Sequence, residues 1–73
     1  MAGNNKHHIR PRSRGGKDEN NIVSLPANFH QAWHLMFDNL TVQEAHRLID
    51  IVMTPGKEFA GHDIEKLRQT LKT

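Results

Sequence analysis

The chain has 73 residues, of which 36% are hydrophobic, and it carries a formal net charge of +2 with six histidines and no cysteine. A chain this short forms one small domain at most, and the lack of cysteine excludes disulfide bonds, thiolate zinc sites and cysteine nucleophiles. No stretch approaches the roughly 18 apolar residues of a membrane-spanning helix, so we expect a soluble, cytoplasmic protein with no membrane partner.

The charge is unevenly distributed along the chain. Residues 1–17 hold five basic and no acidic residues, a charge of +5, whereas residues 18–73 carry −3. A basic segment of this kind favours a polyanion as partner. The alternative for an N-terminal segment is a disordered basic tail, and we expect disorder for residues 1–5.

The first part of the chain is predicted to form a β-hairpin. Residues 6–11 have no helical period, and Pro11 biases the residue before it towards extended geometry, which predicts a short strand. Residues 13–20 are polar and contain two consecutive glycines, as is typical of a loop between strands. Residues 21–25 then form a second strand that stops at Pro26.

Helical spacing begins at Ala27, where one apolar stripe consists of Phe29, Trp33, Phe37 and Leu40. An isolated hairpin is marginally stable in water, so we expect Phe29 and Trp33 to cover the strands. The strand residues expected beneath them are Ile9, Ile22, Val23 and Leu25.

Two further helices are predicted after residue 40. Thr41-Val42-Gln43-Glu44 matches the S/T-x-x-E capping box, so the second helix starts after Thr41 and ends before Pro55. Apolar residues at positions 64, 67 and 71 predict a third helix, entered through residues 61–63. The fold class is therefore α+β, with the order ββααα, in a single domain made of a core over 6–40 and a helical pair over 41–73.

Four histidines are candidates for chemistry. His30 and His34 lie on one face of the first helix, where two imidazoles at this spacing can chelate one metal. His7 and His8 are consecutive in a strand and therefore point to opposite sides. One of them can supply a third ligand, and the other, with an unperturbed pKa near 6.5, suits a general base. Three imidazoles leave coordination positions open, as in a catalytic site.

The histidines belong to a longer pattern: His-His-Ile-Arg-Pro-Arg-Ser-Arg-Gly-Gly at 7–16, Asn-Ile-Val-Ser-Leu at 21–25, then His30 and His34. This pattern resembles the HNH (His-Me finger, ββα-metal) endonuclease motif, and most closely the variant of the colicin- and pyocin-type DNases. In that family a His-His or Asp-His pair ends the first strand and an Asn begins the second. A His follows nine residues later on the helix, with another four residues on. The resemblance covers residues 5–35.

The resemblance implies a role for each matching residue. His7, His30 and His34 would bind one divalent metal ion, His8 would be the general base, and Asn21 would pin the loop and so orient His8. Three imidazoles favour Zn²⁺, Ni²⁺ or Cu²⁺ by affinity, and the open positions also admit Mg²⁺ or Mn²⁺. Phosphates flanking the scissile bond would be held by Arg10, Arg12, Arg14 and Lys17.

The resemblance implies an endonuclease that hydrolyses phosphodiester bonds in DNA, with RNA as the alternative substrate. Two departures accompany it. The second CxxC knuckle of many HNH proteins would fall at Pro26 and Phe29, so we expect no structural zinc and expect Phe29 to pack in its place. Only six residues precede the His pair, whereas the bacteriocin DNases have a long basic region there. This difference favours a fragment, a homodimer or a subunit of a larger assembly.

Two other functions remain open. One is a non-catalytic nucleic-acid-binding module stapled by a His₃ metal site. The other is an interaction protein whose second and third helices dock a phage packaging or restriction assembly.

Overall fold

The computed structural model describes residues 3–72 of the chain. Their elements, in chain order, are β1 (Asn4–His8), a 3₁₀ turn (Arg12–Arg14), β2 (Ile22–Pro26), α1 (Ala27–Phe37), α2 (Val42–Val52) and α3 (Gly61–Leu71). The strands form a two-stranded antiparallel sheet. The α+β class, with a hairpin followed by three helices, is thus confirmed. None of the described helices is long and apolar enough to cross a membrane.

The first strand begins and ends earlier than the sequence predicts. Asn4 and Asn5 pair with Pro26 and Leu25, and the amide of Ala27 donates to the carbonyl oxygen of Gly3 at 2.9 Å. These bonds extend β1 into the segment for which we expected disorder, and that expectation was wrong for residues 4 and 5; residues 1 and 2 lie outside the described part. The strand stops at His8, because the chain then turns into the 3₁₀ turn.

The sheet register decides which strand residues face α1. His7 pairs with Val23 and His8 with Ile22, so each pair projects from its own face of the hairpin. Trp33 of α1 contacts the His7 ring with centroids 5.5 Å apart, which identifies the His7 face as the covered one. Ile22 therefore lies on the opposite face, and the prediction that it packs beneath α1 was wrong.

Phe29 does not pack as predicted, because its side chain is 63% exposed. It lies in the first turn of α1, beside Leu25 and Pro26. The hairpin ends there, and the described residues provide no further layer over it. The fully buried apolar residues of the described part lie elsewhere: Leu40 between α1 and α2, and Ala45 and Leu48 in the first two turns of α2.

The end of α1 and the start of α2 explain this location of the core. Asp38 adopts a φ of 51°, which ends α1 before Leu40. Thr41 then caps α2: its Oγ1 accepts from the amide of Glu44 at 3.3 Å, and Glu44 Oε1 accepts from the amide of Thr41 at 2.9 Å. The capping box predicted from the sequence is thus confirmed.

Gly16 lies where the loop between the strands passes against other backbone. A Cβ at this position would overlap the carbonyl oxygen of Arg10 and lie 2.9 Å from Nδ2 of Asn21. We expect Gly16→Ala to lower the free energy of unfolding by roughly 1–3 kcal/mol, as overpacking of a filled site does. Urea denaturation measures this loss.

The matched control for this prediction is Gly61→Ala. Gly61 is the first residue of α3, and a Cβ there would meet open space, so the same substitution is expected to leave stability unchanged or to raise it. Equal urea midpoints for the two variants would contradict the packing described for Gly16.

Candidate metal centre

Three histidines converge between the hairpin and α1. His7 comes from β1, and His30 and His34 lie one turn apart on α1. One ring nitrogen from each lies within 4.8 Å of those of the other two, and the Nε2 atoms of His30 and His34 are 3.0 Å apart. The helix period places His30 and His34 on one face, and the packing of the hairpin on α1 brings His7 to them, so the three predicted ligands lie together.

The spacing of these nitrogens fits a tetrahedral metal ion. Zn–N bonds of about 2.0–2.1 Å place two tetrahedral ligand nitrogens about 3.3 Å apart. The His30 and His34 nitrogens lie close to that separation, and the His7 nitrogen lies within 4.8 Å of both. The donor set therefore fits one divalent cation with at least one coordination position left for water or a phosphate oxygen.

His7 is the most enclosed of the three, with 7% of its surface exposed. Burial, and then the neighbouring imidazoles of His30, His34 and His8, lower the pKa of His7 below its ordinary value. A protonated imidazole cannot bind a metal. The lowered pKa favours the neutral, metal-binding form of His7.

Two contacts orient the other ligands through their Nδ1 atoms. His34 Nδ1 lies 3.2 Å from the carbonyl oxygen of Asp38, and His30 Nδ1 lies 3.2 Å from the side-chain amide of Asn5. When Nε2 binds a metal, Nδ1 carries the proton and needs an acceptor. The Asp38 carbonyl is one, and a 180° rotation of the Asn5 amide presents Oδ1 as the other. Nothing in the sequence singled out Asn5, whose position beside α1 depends on its pairing with Leu25.

His8 and the three converging histidines line one cleft of about 340 Å³. His8 Nε2 lies 2.8 Å from Oδ1 of Asp18, a residue of the loop between the strands. The hydrogen bond from His8 lowers the pKa of the Asp18 carboxyl. A carboxylate bonded to one ring nitrogen fixes the orientation of the ring and leaves Nδ1 for a second partner. Sequence reasoning did not single out Asp18.

Asn21 ties the two ends of the loop together. Its Oδ1 accepts from the amide of Arg10 at 2.8 Å, and its Nδ2 donates to the carbonyl oxygens of Arg10 at 2.9 Å and Lys17 at 2.6 Å. Three hydrogen bonds from one side chain fix the chain on both sides of the loop. These bonds lie directly after β1, which ends at His8, and they are of the kind that the role expected for Asn21 requires.

The predicted phosphate-binding residues fall into two groups. Arg10, Arg12 and Lys17 are all exposed, and of these Arg12 lines the cleft. Arg14 differs, because both of its terminal nitrogens donate to Glu44 at 2.7 Å. Because its guanidinium is bound to Glu44, Arg14 is not available to bind phosphate. Lys6 also lines the cleft and was not singled out in the sequence.

Comparison with known proteins gives no further assignment for this site. No protein-family model, no curated protein and no solved structure matches the chain.

Proposed function

We propose that this protein is a metal-dependent endonuclease of the HNH type, with a ββα-metal core, that hydrolyses phosphodiester bonds in DNA. One observation carries the proposal: His7, His30 and His34 can share one cation at a cleft that His8 also lines. Open coordination beside an imidazole that is not one of the metal ligands favours hydrolysis over a purely structural metal site.

The chain's own residues supply three parts of the reaction. His8 accepts a proton from the water that attacks phosphorus. Asp18 orients the His8 ring, and Asn21 fixes the loop that follows β1. Arg12 and Lys6 at the cleft lining bind phosphate oxygens of the nucleic acid. A divalent cation bound to the three histidines would neutralise charge on the scissile phosphate and on the departing 3′ oxygen.

The test is conversion of supercoiled plasmid to nicked or linear DNA by the purified protein. We expect conversion with at least one of Mg²⁺, Mn²⁺, Ni²⁺ and Zn²⁺, and none with excess chelator. A His30→Ala preparation purified in parallel controls for contaminating nucleases. Wild-type protein that is inert with every metal, on DNA and on RNA, would contradict the proposal.

The second candidate is a nucleic-acid-binding module that the metal holds together without catalysis. The observation that favours it is the His8–Asp18 contact, which occupies one nitrogen of the proposed base. It predicts metal-dependent retention of DNA in a mobility-shift assay with no cleavage, whereas an endonuclease shows both.

A further inference from the structure

Helix α2 contacts the 3₁₀ turn beside the histidine cleft through one ion pair. Arg14 Nη1 and Nη2 donate to Glu44 Oε1 and Oε2, each at 2.7 Å. Only 20% of the Arg14 side chain and 10% of the Glu44 side chain are exposed. Two parallel charge-assisted bonds fix the orientation of both groups as well as their distance.

Arg14 joins four parts of the fold. Besides Glu44 at the start of α2, its guanidinium donates to the carbonyl oxygens of Asn39, between α1 and α2, and of Lys72, after α3, both at 3.4 Å. Its own backbone belongs to the 3₁₀ turn, where its carbonyl oxygen accepts from Nε of Arg10 at 2.7 Å. A shift of the turn would break several of these bonds at once.

The same turn forms one wall of the cleft. Pro11, Arg12 and Ser13 line it together with the three histidines and Asn39. Asn39 Nδ2 donates to Ser13 Oγ at 3.0 Å, which adds a second tie next to the Arg14 bonds. The wall that carries Arg12 is therefore held from the side of α2 and α3, whereas the three histidines are held by β1 and α1.

We propose that Arg14, Glu44 and Asn39 are positioning residues that set the cleft wall for a phosphate backbone. We name their contacts, together with the Ser13 bond, the turn clamp. This inference rests on the proposed function for its substrate. It assigns α2 and the segment after α3 a part in substrate binding. It also separates substrate binding from metal binding, because none of the hydrogen bonds of the turn clamp involves one of the three converging histidines.

The experiment compares Glu44→Gln with Asp63→Asn. Both carboxylates belong to the third residue of their helix and accept from the backbone amide of the residue before that helix: Glu44 Oε1 from Thr41 at 2.9 Å in α2, and Asp63 Oδ2 from Ala60 at 3.0 Å in α3. Both substitutions replace a carboxylate by an amide. Only Glu44→Gln also weakens the turn clamp.

We expect Glu44→Gln to raise KM for DNA about tenfold or more, with a smaller change in kcat and with zinc affinity within twofold of wild type. Asp63→Asn should change none of the three. Arg14→Lys keeps the charge but loses the bidentate bond, so its KM should fall between wild type and Glu44→Gln. Equal KM for Glu44→Gln and wild type would overturn the proposal.

A second readout does not depend on any activity. The amides of Arg14, Gly15 and Gly16 are hydrogen-bonded within the turn, at 2.9, 3.1 and 3.0 Å, so their hydrogen exchange reports the order of the wall. Exchange there should accelerate in Glu44→Gln and not in Asp63→Asn, while exchange in α1 stays unchanged. If wild-type protein cleaves nothing, the proposed function fails. Hydrogen exchange at the three turn amides then tests on its own whether Glu44 positions the turn. Uniform acceleration in both variants would overturn the positioning role.

If Glu44→Gln does not fold, Asn39→Ala replaces it. This change removes the Ser13 tie and leaves the Arg14–Glu44 pair in place. Faster exchange at the three turn amides with unchanged zinc affinity supports the turn clamp, and wild-type exchange overturns it.

Discussion

Replacement of His30 by alanine is expected to lower the affinity for Zn²⁺ by at least about a hundredfold. Loss of a residue that merely orients a metal ligand commonly costs 10–100-fold, and loss of the ligand itself costs more. His30 also lies 3.0 Å from His34, through their Nε2 atoms, and its ring centroid is 5.2 Å from that of His7. Its removal therefore leaves two of the three ligands that converge in the described part of the chain.

Metal binding should also be visible in thermal stability. A ligand at a hundred times its Kd stabilises the folded state by about 2.7 kcal/mol, which for a domain of this size raises Tm by roughly 10–20 °C. We expect this rise in wild-type protein and its loss in His30→Ala, measured by differential scanning fluorimetry with and without Zn²⁺.

The matched control is His62→Ala, since His62 is exposed near the start of α3 and pairs only with its neighbour Asp63 among the described residues. It tests whether zinc stabilises through any histidine of the chain. A similar rise in Tm for wild type and His30→Ala would contradict the three-histidine site, and the proposed function would fail with it.

The parts of this fold that local chemistry determines could be predicted from the sequence. Thr41 and Glu44 are three residues apart and bond to each other, so the start of α2 depends on that short segment alone. His30 and His34 share a face because the helix period is fixed. Strand alternation required His7 and His8 to differ, and the register confirms that they project from opposite faces.

The parts that depend on distant partners could not be predicted in the same way. Arg14 and Glu44 are 30 residues apart, and nothing near Arg14 distinguishes it from the exposed Arg10 and Arg12. The basic residues of this segment looked alike in the sequence, yet Arg14 is largely buried in an ion pair with Glu44. Phe29 shows the opposite case: its helical spacing predicted burial, but the described residues leave that end of α1 uncovered.

His8→Ala is expected to lower kcat for DNA cleavage by about 10²–10⁴-fold, the contribution typical of a general base. Zinc affinity should change by less than about threefold, because His8 projects from the face of β1 opposite His7 and is not among the three converging ligands. The two quantities are measured by plasmid cleavage at saturating metal and by competition with a zinc-binding dye.

His7→Ala is the matched comparison, because it removes the neighbouring imidazole from the same strand. It should lose zinc affinity and cleavage together, whereas His8→Ala loses cleavage alone. Asp18→Asn adds a third arm: if the Asp18 carboxylate orients His8, kcat falls by a smaller factor and zinc affinity does not change. Full cleavage by His8→Ala would refute its role as the base, and the water would then have to lose its proton to another group at the cleft.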